Sequence, residues 1–64
     1  MKRRDLLREL QRIARENERS LEVREGGNHT LVRIGDWKEI IPRHREVKEP
    51  LAKAILRSAK NDTH

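Results

Sequence analysis

Two stretches of helical period enclose three short stretches of period two, and that ordering is the strongest constraint on how this chain folds. At the front, Leu6, Leu7, Leu10, Ile13 and Ala14 fall at i, i+1, i+4, i+7 and i+8. That spacing predicts an amphipathic helix over residues 4–17, with Arg8, Glu9, Arg12, Arg15 and Glu16 on the wet side. At the back, Leu51, Ala52, Ile55, Leu56 and Ala59 repeat in the same way. A second helix is expected from Pro50, a good first-turn residue, to about Lys60, leaving 61–64 as a frayed tail. Between them, Leu21 to Arg24, His29 to Ile34 and Trp37 to Ile41 alternate as strands do. Glu25-Gly26-Gly27-Asn28 reads as a turn whose paired glycines tolerate positive φ, and Gly35-Asp36 as a two-residue hairpin turn. Pro42, which has no ladder donor, stops the third strand.

The resulting order is α-β-β-β-α, an α+β fold. Two helices cover one face of a three-stranded antiparallel sheet and leave the other face open. With Gly35-Asp36 as the turn, Ile34 pairs with Trp37 and His29 lies opposite Pro42. Val32, Ile34, Trp37 and Ile41 then share one face, expected under the helices with Leu21 and Val23, while Leu31 and Ile40 share the other. The 64 residues make a single domain, and with 33% apolar residues its core is thin.

The charge is lopsided. Sixteen basic residues against eleven acidic ones give +5, and eleven of the sixteen are arginine, the better phosphate ligand. Nucleic acid, an anionic membrane surface and an acidic protein are the partner classes that fit. No apolar run approaches a membrane span, and Asp5, Glu9 and Glu16 argue against reading the opening Lys2-Arg3-Arg4 as a transit peptide. The chain has no cysteine, which removes a disulfide scaffold, a thiolate metal site and a cysteine nucleophile. With one tryptophan and no Phe or Tyr, it cannot build an aromatic platform for single-stranded RNA.

Gly26-Gly27-Asn28-His29 places an imidazole just after a glycine turn, at a strand entry where a ligand can come close. Imidazole gives and takes protons near neutral pH, although a histidine at a strand start is also an ordinary surface residue. RNA carries its own nucleophile, the 2′-hydroxyl. Cleaving it needs a base, an acid and cations for the charge on the phosphorane, and one histidine with nearby arginines meets that need without a metal. His44 is the second candidate. In the register above it would lie diagonal to His29, about 7–8 Å away, as a second acid/base or an RNA-positioning group, whereas a one-residue slip would send it to the other face. Lys2, Arg3, Arg4, Arg43, Arg45, Lys48 and Lys53 are the candidate phosphate contacts. Trp37 is expected to close the core.

Gly27-Asn28-His29, Ile41-Pro42-Arg43-His44, Glu46-Val47 and Ile55-Leu56 follow one another at spacings that resemble those of the HicA-type toxins, small bacterial ribonucleases of type II toxin–antitoxin pairs. The resemblance covers nearly the whole chain. It departs at Asn28, where the family has a small residue, and at Glu49-Pro50-Leu51, where a Lys-Gly-Thr-like helix entry is usual. It implies a fold like the double-stranded-RNA-binding domain and ribosome-independent, metal-independent cleavage of mRNA during a stress response, with His29 as the catalytic acid/base and no cofactor. It further implies a cytoplasmic protein, monomeric when free, neutralised by an acidic antitoxin of HicB type. Two other readings stand beside it: a non-catalytic double-stranded-RNA-binding module and a basic protein-interaction domain. The former usually has a Lys-Lys-x-Ala-Lys helix entry, which Lys48-Glu49-Pro50-Leu51-Ala52-Lys53 matches poorly.

Overall fold

The computed structural model describes residues 1–62. Its elements are α1 (Arg3–Glu16), β1 (Leu21–Glu25), β2 (His29–Ile34), β3 (Trp37–Pro42) and α2 (Glu49–Asp62), the α-β-β-β-α order expected. The sheet is an antiparallel meander in the order β1-β2-β3.

Each element ends for a local reason. α1 closes on Asn17 with Glu18 left-handed at φ 57. The Glu18 amide then reaches the Arg15 carbonyl at 3.1 Å and the Arg19 amide that of Ala14 at 2.7 Å, the two bonds of a Schellman cap. Between β2 and β3 the turn is Gly35-Asp36, and Gly35 takes φ +59. A Cβ there would lie 3.0 Å from Cδ of the exposed Arg19 side chain, which can move aside, so it is the backbone conformation that favours glycine. This turn fixes Ile34 opposite Trp37 and His29 opposite Pro42, the register read from the sequence. The β1–β2 loop differs from expectation. Neither Gly26 nor Gly27 has positive φ. Gly26 is needed because a Cβ would meet the His29 carbonyl at 3.0 Å, in a turn closed by the Gly26 amide on that same oxygen at 2.9 Å.

The core lies between the helices and one sheet face. Leu6, Leu10, Ile13 and Ala14 from α1, Ala52, Ile55 and Ala59 from α2, and Val32, Ile34, Trp37 and Ile41 from the sheet are buried. Trp37 closes one end, its indole N–H donating to Ser58 Oγ at 3.0 Å. Val47 is buried too, although residues 43–48 read as a plain basic connector. The connector pairs with the start of the chain: the Val47 amide donates to the Met1 carbonyl at 2.7 Å and the Arg3 amide to the Arg45 carbonyl at 2.8 Å, bridging Lys2 and Glu46.

Three expectations are corrected. Val23 points to the helix side but is 45% exposed, because the helices do not reach over the outer strand, and Leu21 is only half-buried. Leu51 starts the apolar face of α2 yet is exposed at the helix entry. Asn61 and Asp62 continue α2 rather than fraying, with Ser58 Oγ donating to Asp62 Oδ2 at 3.5 Å. Thr63 and His64, the rest of the expected tail, lie outside the described residues.

Candidate nucleic-acid interface

His29 opens β2 and is exposed on the face away from the helices. Its ring folds back over the glycine loop, so that a Cβ on Gly26 would lie 4.0 Å from its Nε2. The register puts Pro42 opposite His29, so the next residue, Arg43, leaves the sheet beside that loop. Its Nη1 donates to the carbonyls of Gly26 at 2.8 Å and Gly27 at 3.2 Å. A guanidinium thus ties down the loop that leads into the histidine's strand.

Glu25, the last residue of β1, organises the cations. One carboxylate oxygen accepts from Arg3 Nη2 at 2.8 Å and from the Thr30 hydroxyl at 2.9 Å, while the other lies 3.2 Å from Arg43 Nε. Arg3 Nη2 also donates to Thr30 Oγ1 at 2.7 Å. Thr30 is fully buried among apolar neighbours, so its hydroxyl needs these partners. Arg3 Nε is the buried side-chain polar atom left without one among the described residues. α1, β1, β2 and the connector therefore meet on a single carboxylate. The Thr30 hydroxyl is the largest influence holding the Glu25 carboxyl below the usual glutamate value; desolvation opposes it, and Arg3 and then Arg43 add to the lowering.

A depressed carboxyl pKa stabilises the fold above the unfolded value and loses that contribution as pH falls through the folded one. Wild type is therefore expected to lose stability below about pH 4.5, the ordinary glutamate value. Glu25→Gln should already lack that contribution at neutral pH. In urea titrations from pH 7 to 3, the gap between the two proteins should close on acidification. A gap that stayed constant would show that the Glu25 charge is not what holds the arginines.

Lys2, Arg3, Arg4, Arg43 and Arg45 line one open cleft of roughly 450 Å³. Pairing of residues 1–3 with 45–47 assembles it, joining basic residues from opposite ends of the sequence. Among the described residues no acidic side chain lines the cleft; Glu25 offsets Arg3 and Arg43 from behind, and Lys2, Arg4 and Arg45 are exposed around it. Like-charged groups in a concave site focus a positive potential on an anion. Two of the seven candidate phosphate contacts stand apart: Lys48 is exposed but does not line the cleft, and Lys53 lies on α2 beside Arg57 and Lys60. His44 is exposed in a bend, two residues beyond the end of β3, so the β2–β3 ladder does not extend to it. Among the described residues no three His, Asp or Glu side chains converge as a metal site would need, and no helix is long and apolar enough to cross a membrane.

Sequence reasoning missed Glu25 and Thr30. One signal was available: Thr30 falls on the apolar face of its strand with Val32 and Ile34, where a hydroxyl needs a nearby partner. Comparison with known proteins finds no matching family model, no matching curated protein and no matching solved structure.

Proposed function

We propose that this chain is a metal-independent endoribonuclease, the toxin of a toxin–antitoxin pair acting on mRNA, with His29 as its acid/base. The observation that carries this reading is the exposed His29 at the start of β2, next to a loop held by Arg43, a residue that also lines the five-cation cleft. A phosphate in the cleft would fix the RNA backbone while the 2′-oxygen of a neighbouring ribose attacks its phosphorus. The base takes the 2′-hydroxyl proton, and the 5′-oxygen leaves with a proton in return. Guanidinium groups stabilise the added negative charge on the phosphorane. His44, exposed on the same connector as Arg43 and Arg45, serves to position RNA.

The motif resemblance to HicA-type toxins supports the same reading. It also implies an acidic antitoxin, and the open sheet face is a suitable target. Arg24, Arg33 and Lys38 line a shallow groove there with Leu31, offset only by Glu22, which pairs with Arg33. Covering that face would bury His29 by occupancy. The non-catalytic double-stranded-RNA-binding reading is weaker at the entry of α2. Glu49 sits in its first turn and binds the Met1 amino group at 2.9 Å, where that reading needs lysines free for phosphate. Incubation with a long single-stranded RNA in EDTA separates the readings: cleavage supports the nuclease, a shift without cleavage supports the binding module, and neither outcome leaves a protein-interaction domain.

The cleft makes a quantitative prediction. Each phosphate contact on a single strand contributes about −0.7 to the log–log dependence of affinity on salt. Replacing Lys2, Arg4 and Arg45 together with alanine should make that slope shallower by roughly 2 units. Replacing Lys48 and Lys53 should leave it unchanged. The reverse pattern in filter-binding titrations would place the RNA along α2 instead.

A further inference from the structure

The two edges of the sheet are treated differently. On β3, ladder bonds to β2 run from Trp37, Glu39 and Ile41, because the two-residue turn makes Ile34 and Trp37 a hydrogen-bonded pair and the pattern alternates from there. Lys38, Ile40 and Pro42 face outward. That edge is blunted: Pro42 has no donor, and the Ile40 amide already donates to Glu39 Oε1 at 3.1 Å. On β1 the Gly26 amide bonds the His29 carbonyl, so Arg24 and Glu22 pair inward with Leu31 and Arg33. The N–H and C=O groups of Leu21, Val23 and Glu25 therefore point away from the sheet. Among the described residues no proline and no side-chain bond to these backbone groups closes this edge, and next to it Leu7, Leu21 and the 45% exposed Val23 line a groove with Arg4, Arg8 and Gln11.

We propose that β1 pairs antiparallel with β1 of a second copy about a two-fold axis at Val23, joining two sheets into one of six strands. Backbone parity and charge together select this occupant and register. With Val23 opposite Val23, Leu21 falls opposite Glu25 of the second copy, so every pair that must exchange backbone bonds consists of residues whose groups are free. In the same register Glu22 falls opposite Arg24 of the second copy, twice over by symmetry, and these lie in the close, non-hydrogen-bonded positions where opposite charges attract best. Arg24 has no acidic partner within its own chain among the ion pairs of the described residues. Shifting the pairing by two residues either way brings Glu22 against Glu22 or Arg24 against Arg24, with like charges opposed. An even register also keeps all four helices on one side, so the exposed Val23 side chains and Leu7 of both copies meet along the axis. The two His29 sites then open on the same face.

This pairing replaces the monomer expected for the free chain. Five residues per strand bury less than a standard specific interface, so the dimer should be modest, with dissociation in the range of about 10–100 µM. Sedimentation equilibrium of the full chain from 5 µM to 1 mM tests it. The wild type should pass from monomer to dimer over that range. Arg24→Glu alone should weaken association about tenfold by setting Glu22 against a new acid, and the double exchange Glu22→Arg with Arg24→Glu should restore it. Circular dichroism confirms that each variant folds. A wild type that stays monomeric at 1 mM, or a double exchange no better than the single change, would overturn the proposal. A monomer whose β1 amides become protected from hydrogen exchange only when a different protein is added would assign the edge to that protein's strand instead.

Discussion

His29→Ala should reduce RNA cleavage by about 10²–10⁴-fold, the usual contribution of a positioned acid/base, and leave the fold intact. The two halves of that expectation have separate causes. His29 is exposed at the start of β2, and the nearby loop is held by backbone and by Arg43, so removing the imidazole breaks no buried contact. The unfolding midpoint should therefore match wild type within error. The rate, in contrast, loses the group proposed to carry the proton. His44→Ala should cost less, because that side chain stands in a bend outside the ladder. Initial rates on a labelled single-stranded RNA, measured beside a urea melt of each variant, separate the roles. A His29→Ala protein cleaving at the wild-type rate would remove this residue from the mechanism. A variant that lost cleavage and stability together would make the histidine structural.

The parts of this fold that were legible in the sequence are those set by local geometry. The change of period from 3.6 to 2 and back located the five elements, and one turn, Gly35-Asp36, was enough to set the β2–β3 register. From that register came the exposure of His29, the burial of Val32, Ile34 and Ile41, and the place of Trp37. Alternation shows which side of a sheet a residue faces but not how far the helices extend over it. That is why Val23 faces the correct side and remains half exposed. The Arg3–Glu25–Thr30–Arg43 network was hidden for another reason. Its members come from four segments, and a glutamate beside Gly-Gly reads as ordinary turn chemistry until Thr30 is seen opposite it. The cleft depends on residues 1–3 pairing with 45–47, a contact with no periodic signature, so basic residues from both ends of the chain could be named as candidates but not placed together.

Trp37→Ala is expected to cause the largest loss of stability of any single substitution proposed for this chain. The indole is only 5% exposed, packs in the core opposite Ile34, and joins the sheet to α2 through Ser58. Truncating a buried tryptophan to alanine costs roughly 3–5 kcal/mol, because transfer energy is lost and the space left behind cannot fully collapse. At the usual stability per residue, a domain of this length holds only about 3–10 kcal/mol in total. The loss is thus about 30% of the whole at the least and can equal all of it. Little of the cost comes from the Ser58 hydroxyl, which is half-buried and has Asp62 within reach. Trp37→Phe, which keeps most of the apolar contact and gives up the hydrogen bond, should therefore cost much less, about 1 kcal/mol for the bond plus the smaller ring's packing loss. Far-UV circular dichroism in urea can follow all three proteins, since the substitutions remove the chain's single fluorescent indole. An alanine variant as stable as wild type would mean that the ring is not part of the core. RNA cleavage measured on the same samples then has a definite reading. Trp37→Ala should lose activity only in proportion to the folded fraction, and adding a stabilising osmolyte should recover both together. The same osmolyte should restore nothing to His29→Ala, whose loss is chemical.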